Sequence, residues 1–193
     1  GLWSFTYTPS WLAELGCFAL SPHLPLGAEP LLDGASRRPV QWYFDNLLPE
    51  EGQRTLLASD ARLDAADAFG LLAHYGAESA GSIVLLPPQA PSTATNALRP
   101  LPDDALHQRI RQLPKVPLTH GAIKRMSLAG AQHKLAVVLQ GSQLFEPVGA
   151  TPSTHILKPD HPGQDTPHSV INEGFVMRLV ARLRLEVPAV HRR

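Results

Sequence analysis

Cysteine is almost missing from these 193 residues: Cys17 stands alone. A single thiol excludes an internal disulfide framework and, with no signal-peptide pattern at the start, points to a reducing, cytoplasmic setting. Net charge is missing too. Lys plus Arg and Asp plus Glu number 17 each, so no overall basic footprint marks the chain as a direct binder of nucleic acid. Long apolar runs are also lacking. The longest, Ile83 to Leu86 and Leu135 to Leu139, fall far short of the roughly 20 residues a membrane span needs. Aromatics are few, at 6%, so Trp3, Tyr7, Trp11, Trp42 and Tyr43 read as core residues rather than a binding platform. What the chain does have is 44% apolar and 18% charged residues, the balance of a folded globular protein and not of a disordered one.

Proline is plentiful, at 19, and its clusters divide the chain into three blocks: 1–88, 89–118 and 119–193. In the first, Gly1 to Tyr7 alternate like a strand whose expected partner lies upstream. Val40 to Leu48 read as a short helix, and Pro49 opens a second one at Glu50. Asp67 is the expected N-cap of a helix over Phe69 to Tyr75, with Gly76 as its left-handed C-cap. Gly81 to Leu86 read as a buried strand. Gln89 to Pro102, rich in Pro, Ser, Thr and Ala, read as a linker, after which Asp103 caps a short helix through Leu113.

The third block is the most patterned. A β-branched run, Leu135 to Leu139, meets the two-residue hairpin signal Gly141-Ser142 and returns as Leu144 to Val148. Thr154 to Lys158 form a further strand, and Ser169 to Leu185 a helix. The expected class is therefore α+β: a mixed α/β first unit, then an antiparallel β-meander followed by one helix.

Chemistry concentrates in that block. Ala129, Gly130 and Ala131 carry little or no side chain, so backbone N–H groups there can approach an anion closely, although the same pattern suits a tight strand entry. Glu173 shares a helix face with Val176, Met177 and Val180, and a carboxylate on an apolar stripe wants a cation. Lys158, at the end of the adjoining strand, is the natural partner. Such a pair can hold an ammonium over nucleotide phosphates, as protein kinases do. The nine histidines show no metal-binding spacing.

The runs Met126-Ser127-Leu128-Ala129-Gly130-Ala131-Gln132-His133-Lys134, Ser153-Thr154-His155-Ile156-Leu157-Lys158-Pro159 and Asn172-Glu173, with Phe44-Asp45-Asn46-Leu47-Leu48-Pro49-Glu50, resemble the HipA family of toxin serine/threonine kinases. The resemblance implies an N-terminal subdomain fused to the start of a kinase N-lobe. It implies a phosphate loop of Ala129, Gly130, Ala131, Gln132, His133 and Lys134, an ATP lysine at Lys158 with Glu173 as its partner, and self-phosphorylation at Ser127. It implies ATP with Mg as cofactor, a protein substrate, and a helix-turn-helix, HipB-like antitoxin through which DNA is reached only indirectly; no membrane is implied.

A kinase also needs a catalytic Asp and a magnesium-binding Asp, and neither has a match here. Asp67-Ala68-Phe69-Gly70 looks like the magnesium motif but lies upstream of the phosphate loop with an inserted Ala, so it reads as a helix start. The missing lobe is expected to follow Val190. As it stands the chain is expected to be inactive alone, and a non-catalytic module engaging the antitoxin, or a vestigial fragment, is the alternative.

Overall fold

The computed structural model describes residues 1–78, 83–88, 96–113, 115–116, 121, 130, 132–149, 151–165 and 167–192. In the first unit, β1 (Ser4–Phe5) pairs antiparallel with β2 (Leu31–Leu32), Ser4 opposite Leu32. The partner found for the opening strand within this chain is thus the downstream β2. Between them sits a single turn of helix, α1 (Pro9–Leu12), capped by Thr8, whose hydroxyl accepts from the Trp11 N–H.

α2 (Pro39–Asp45) begins with proline at its first position, where no N–H is needed. Its next two N–H groups donate to the two carboxylate oxygens of buried Asp33, each at 2.9 Å. α3 (Glu51–Ala61) ends at Arg62 in the left-handed region. α4 (Ala68–Tyr75) is capped as expected: the Gly70 N–H donates to Asp67 Oδ1 at 2.9 Å. That bond makes the Asp67-Ala68-Phe69-Gly70 segment a helix start. Leu48, Leu57, Leu71, Leu72 and Tyr75 form the core of this unit, with Trp3 and Phe44 packed against it. The Tyr75 hydroxyl donates to Leu57 O, which satisfies its polar end inside that core.

Two expectations fail at the edge of this unit. Gly76 is not a left-handed cap; it is right-handed and continues into a short 3-10 turn, Gly76–Glu78. Its reason for being glycine is proximity, because a Cβ there would lie 2.6 Å from Leu85 Cβ. Ile83 to Leu86, the described part of the expected strand Gly81 to Leu86, is not a strand, and Val84 and Leu86 are exposed. Leu85 turns inward instead and its N–H donates to Gly76 O.

The second unit is a four-stranded antiparallel sheet with two helices. β3 (Ala97–Pro100), α5 (Asp103–Arg111), β4 (Leu135–Gln140), β5 (Gln143–Val148), β6 (His155–Leu157) and α6 (Ser169–Arg182) follow in order along the chain. The spatial order is β3-β5-β4-β6. This is α+β, as expected, but not a simple meander: β6 adds beside β4 rather than β5, and a fourth strand joins from upstream. That strand corrects the linker reading of Gln89 to Pro102 in its second half, since Ala97–Pro100 pair with Phe145–Val148. Asp103 lies in the first turn of α5, with Pro102 as the cap residue. Leu101, Leu106, Leu135, Val137 and Leu144 form the core under α5.

β4 changes partner along its length. Val138–Gln140 pair with β5, whereas Leu135–Val137 pair with β6. Pro147, without an N–H to donate, sits in β5 beyond the end of the β4 ladder and opposite Leu98 of β3.

Candidate functional site

The site forms where β6, α6 and the entry to β4 meet. Lys158 directly follows β6, and Glu173 lies in the second turn of α6. Their side chains form the expected ion pair, Lys158 Nζ to Glu173 Oε1. The start of α6 is fixed from the connecting segment: Asp160 Oδ1 accepts from the Val170 N–H at 2.9 Å, and Ser169 Oγ accepts from the His161 N–H at 2.8 Å. The chain that leaves Lys158 is thereby tied to the helix that carries Glu173.

The pair is less enclosed than an apolar stripe suggests. Lys158 and Glu173 side chains are 33% and 39% exposed, and α6 contains no buried residue. Val170, Gly174, Met177 and Val180 are half-buried, while Val176 is exposed with Phe175 and Leu179. A cleft of about 620 Å³ opens beside the pair, lined by Ile156, Lys158, Glu173, Met177 and residues Pro188 to Arg192.

Of the expected phosphate loop, Gly130, Gln132, His133 and Lys134 are placed; Ala129 and Ala131, like Ser127, lie outside the described residues. Gly130 has φ of +104°, a conformation L side chains rarely adopt, and a Cβ on it would come within 3.0 Å of Lys134 Nζ. The lysine therefore folds back over the glycine. Lys134 is nearly buried. Burial first, and then the positive charge of Lys158, push its pKa down, while the carboxylates of Glu50 and Glu173 oppose that shift. Two ammonium groups thus converge on one region with a carboxylate on either side, an arrangement suited to a polyanion.

His133 is 5% exposed and pairs with Gln53 of α3, itself 7% exposed. Its pKa is lowered, mainly by burial and then by His161 and Lys134. Gln53 and Glu50 were not among the residues expected at the site. A signal existed: Gln53 shares a face of α3 with buried Leu57, the same pattern of a polar group on an apolar stripe that singled out Glu173. Among the described residues no group of three or more His, Cys, Asp or Glu side chains is arranged to hold a metal ion, and no helix is long and apolar enough to cross a membrane.

Comparison with known proteins shows the family of the chain. Residues 1–86 match the HipA N-terminal domain model and residues 126–193 the HipA-like C-terminal domain model. The chain is 38% identical over 195 aligned positions to "Putative kinase Y4mE" of Sinorhizobium fredii, covering 98% of this chain and 45% of that protein. It is 32% identical over 185 positions to the serine/threonine-protein kinase toxin HipA of Shewanella oneidensis, covering 95% of this chain and 40% of the relative. A solved complex of HipA and HipB from Shewanella oneidensis MR-1 with its operator DNA contains a similar chain, with a TM-score of 0.65 and 29% identity, covering 97% of this chain and 42% of that one. The chain spans less than half the length of these relatives.

Proposed function

The chain belongs to the HipA family, and from that premise we propose that it is the nucleotide-phosphate-binding part of a serine/threonine protein kinase toxin of a type II toxin-antitoxin system. The observation that carries this reading is the Lys158–Glu173 ion pair beside Lys134, at the end of a turn whose glycine is held at positive φ. A strand lysine paired to a helix carboxylate is the arrangement by which kinases present an ammonium to phosphate oxygens.

The residues present fit ATP. Gly130 leaves the backbone bare, and Lys134 and Lys158 supply cationic donors. With Ala129, Ala131, Gln132 and His133, these are the residues assigned to hold the phosphates, and Glu173 holds Lys158 in place. ATP supplies the γ-phosphoryl group for a protein hydroxyl and for Ser127. Magnesium and the catalytic aspartates are assigned to no residue of this chain, so it is expected to bind ATP weakly and to transfer no phosphate by itself. A HipB-like, helix-turn-helix antitoxin is the proposed partner, with operator DNA reached through it; the solved HipA, HipB and operator complex supports that part.

The test is a titration of the 193-residue chain with MgATP into the millimolar range, followed by amide chemical shifts. Saturable shifts at Gly130, Lys134 and Lys158 are expected, and Lys158→Met should abolish them. Absence of shifts, or shifts that Lys158→Met leaves intact, would overturn the assignment. Mass spectrometry of the same samples reads transfer: phosphate on Ser127 in this chain alone would contradict the expected inactivity.

A further inference from the structure

We propose that the N-terminal unit forms one wall of the phosphate site, with Gln53 as the positioning residue that holds the Gly130–Lys134 turn through His133. This deepens the proposed function and rests on it for the ligand, though not for the contact.

Three observations carry it. The first is the Gln53–His133 bond, between residues 80 apart in sequence and both almost fully buried. Gln53 Nε2 lies 2.8 Å from His133 Nδ1 and 2.7 Å from Nε2, so whichever ring nitrogen lacks a proton can accept. A buried amide or imidazole left without a partner costs on the order of 1–3 kcal/mol, so each side chain restricts where the other can go. The second is backbone contact: Pro49, fully buried, forms an isolated parallel bridge with Gly130. The third is charge. The Glu50 carboxylate acts on Lys134 from the side of α3, as Glu173 does from α6.

These contacts give the segment Phe44 to Glu50 a task. Phe44 and Leu48 anchor it to the first core, and Asp45 is tied to Arg54 of α3 at 2.8 Å. What projects from that anchored segment is Pro49 and Glu50, and one turn of helix further, Gln53. All three meet the turn that carries Lys134. The ammonium of Lys134 is therefore positioned by the N-terminal unit, and that of Lys158 by α6.

Hydrogen exchange of the 193-residue chain tests this, with and without MgATP. Gln53→Leu keeps the side chain's bulk and removes its amide. Without nucleotide it should speed exchange of the His133 and Lys134 amides about tenfold, the equivalent of ~1.4 kcal/mol, while the β4–β5 hairpin amides keep their rates. The double variant Gln53→Leu with His133→Leu should restore slow exchange, because replacing both partners by apolar groups leaves nothing unsatisfied. Should Gln53→Leu fail to fold, Gln53→Asn, which withdraws the amide by one methylene, is read in the same way. Unchanged exchange at 133–134 would overturn the proposal, as would an equal rise throughout the hairpin. If exchange responds but MgATP protects nothing, the positioning role stands and the nucleotide reading fails; if MgATP protects Gly130 and Lys134 equally in wild type and Gln53→Leu, the nucleotide reading stands and the positioning role fails.

Discussion

The sheet carries an ion cluster on the β5 side and another on the α6 side, and they are built differently. Glu146 of β5 is 3% exposed and receives two arginines. Arg99 of β3 donates from Nε to Oε2 at 2.9 Å, and Arg109 of α5 donates from Nη1 to Oε1 at 2.5 Å. Both carboxylate oxygens are taken, and Arg99 Nη2 also reaches Gly121 O at 2.8 Å. The planar guanidinium forks fix these directions. Lys158 and Glu173 instead share one contact through a flexible stem, with both side chains a third or more exposed and on a helix without a buried residue. Opening the first cluster strands the buried Glu146 carboxylate and the largely buried Arg109, although Arg99 itself is half-exposed. Opening the second exposes two groups that water already reaches, at little cost. The first suits a fixed joint between β3, β5 and α5; the second suits a contact that a bound phosphate can reorganise.

That contrast can be broken most directly at Glu146. Glu146→Ala leaves Arg109 largely buried without its carboxylate, and urea unfolding should show a loss of about 3–5 kcal/mol. A loss below about 1 kcal/mol would put both clusters in the same class. Next in size, Lys158→Met and Glu173→Gln should each change unfolding stability by no more than about 1 kcal/mol, although the first should abolish the nucleotide-induced shifts proposed above. A larger loss from either would make the pair a structural joint after all.

The smallest effect expected is with pH, at His133. Its folded pKa lies below the ordinary 6.5, so the unfolded chain binds the proton more readily. The stability contributed by the neutral imidazole is complete above about pH 6.5 and is lost as pH falls through the window beneath it. Protonation also removes the nitrogen that accepts from Gln53 and sets a new positive charge beside Lys134 and His161. The urea midpoint should fall between about pH 7 and about pH 5, and His133→Leu should remove the part due to this residue. An equal fall in the variant would assign the effect elsewhere.

Much of this was legible because it is local. Asp67 caps α4 three residues away, and Gly141-Ser142 closes the β4–β5 hairpin. The Lys158–Glu173 pair was legible for a different reason: a carboxylate among apolar neighbours requires a cation, and the adjoining strand end supplied one. Residues without such a local rule were not readable. Ala97–Pro100 has no apolar alternation and becomes a strand only by pairing with β5. Gly76 is small because of Leu85, which no turn rule encodes. Helical spacing set Val176, Met177 and Val180 on the face of Glu173, but periodicity does not say which of them find a neighbour; Val176 does not bury. The partners Gln53 and His133 are likewise related only through the assembled fold.

The pairing of β3 with β5 has a consequence for chain entropy. Pairing Pro100 with Phe145 ties off everything between them, α5 and the lysine-bearing turn included, as one closed loop. Closure costs grow only as the logarithm of loop length, so the strands meet most of that cost once, at their own junction. The groups that then fasten the turn, Pro49 at Gly130 and Gln53 at His133, act on a chain whose wandering is already confined. Each forfeits less freedom than it would on an open segment, which is how one side-chain hydrogen bond and one backbone bridge can suffice to hold the turn.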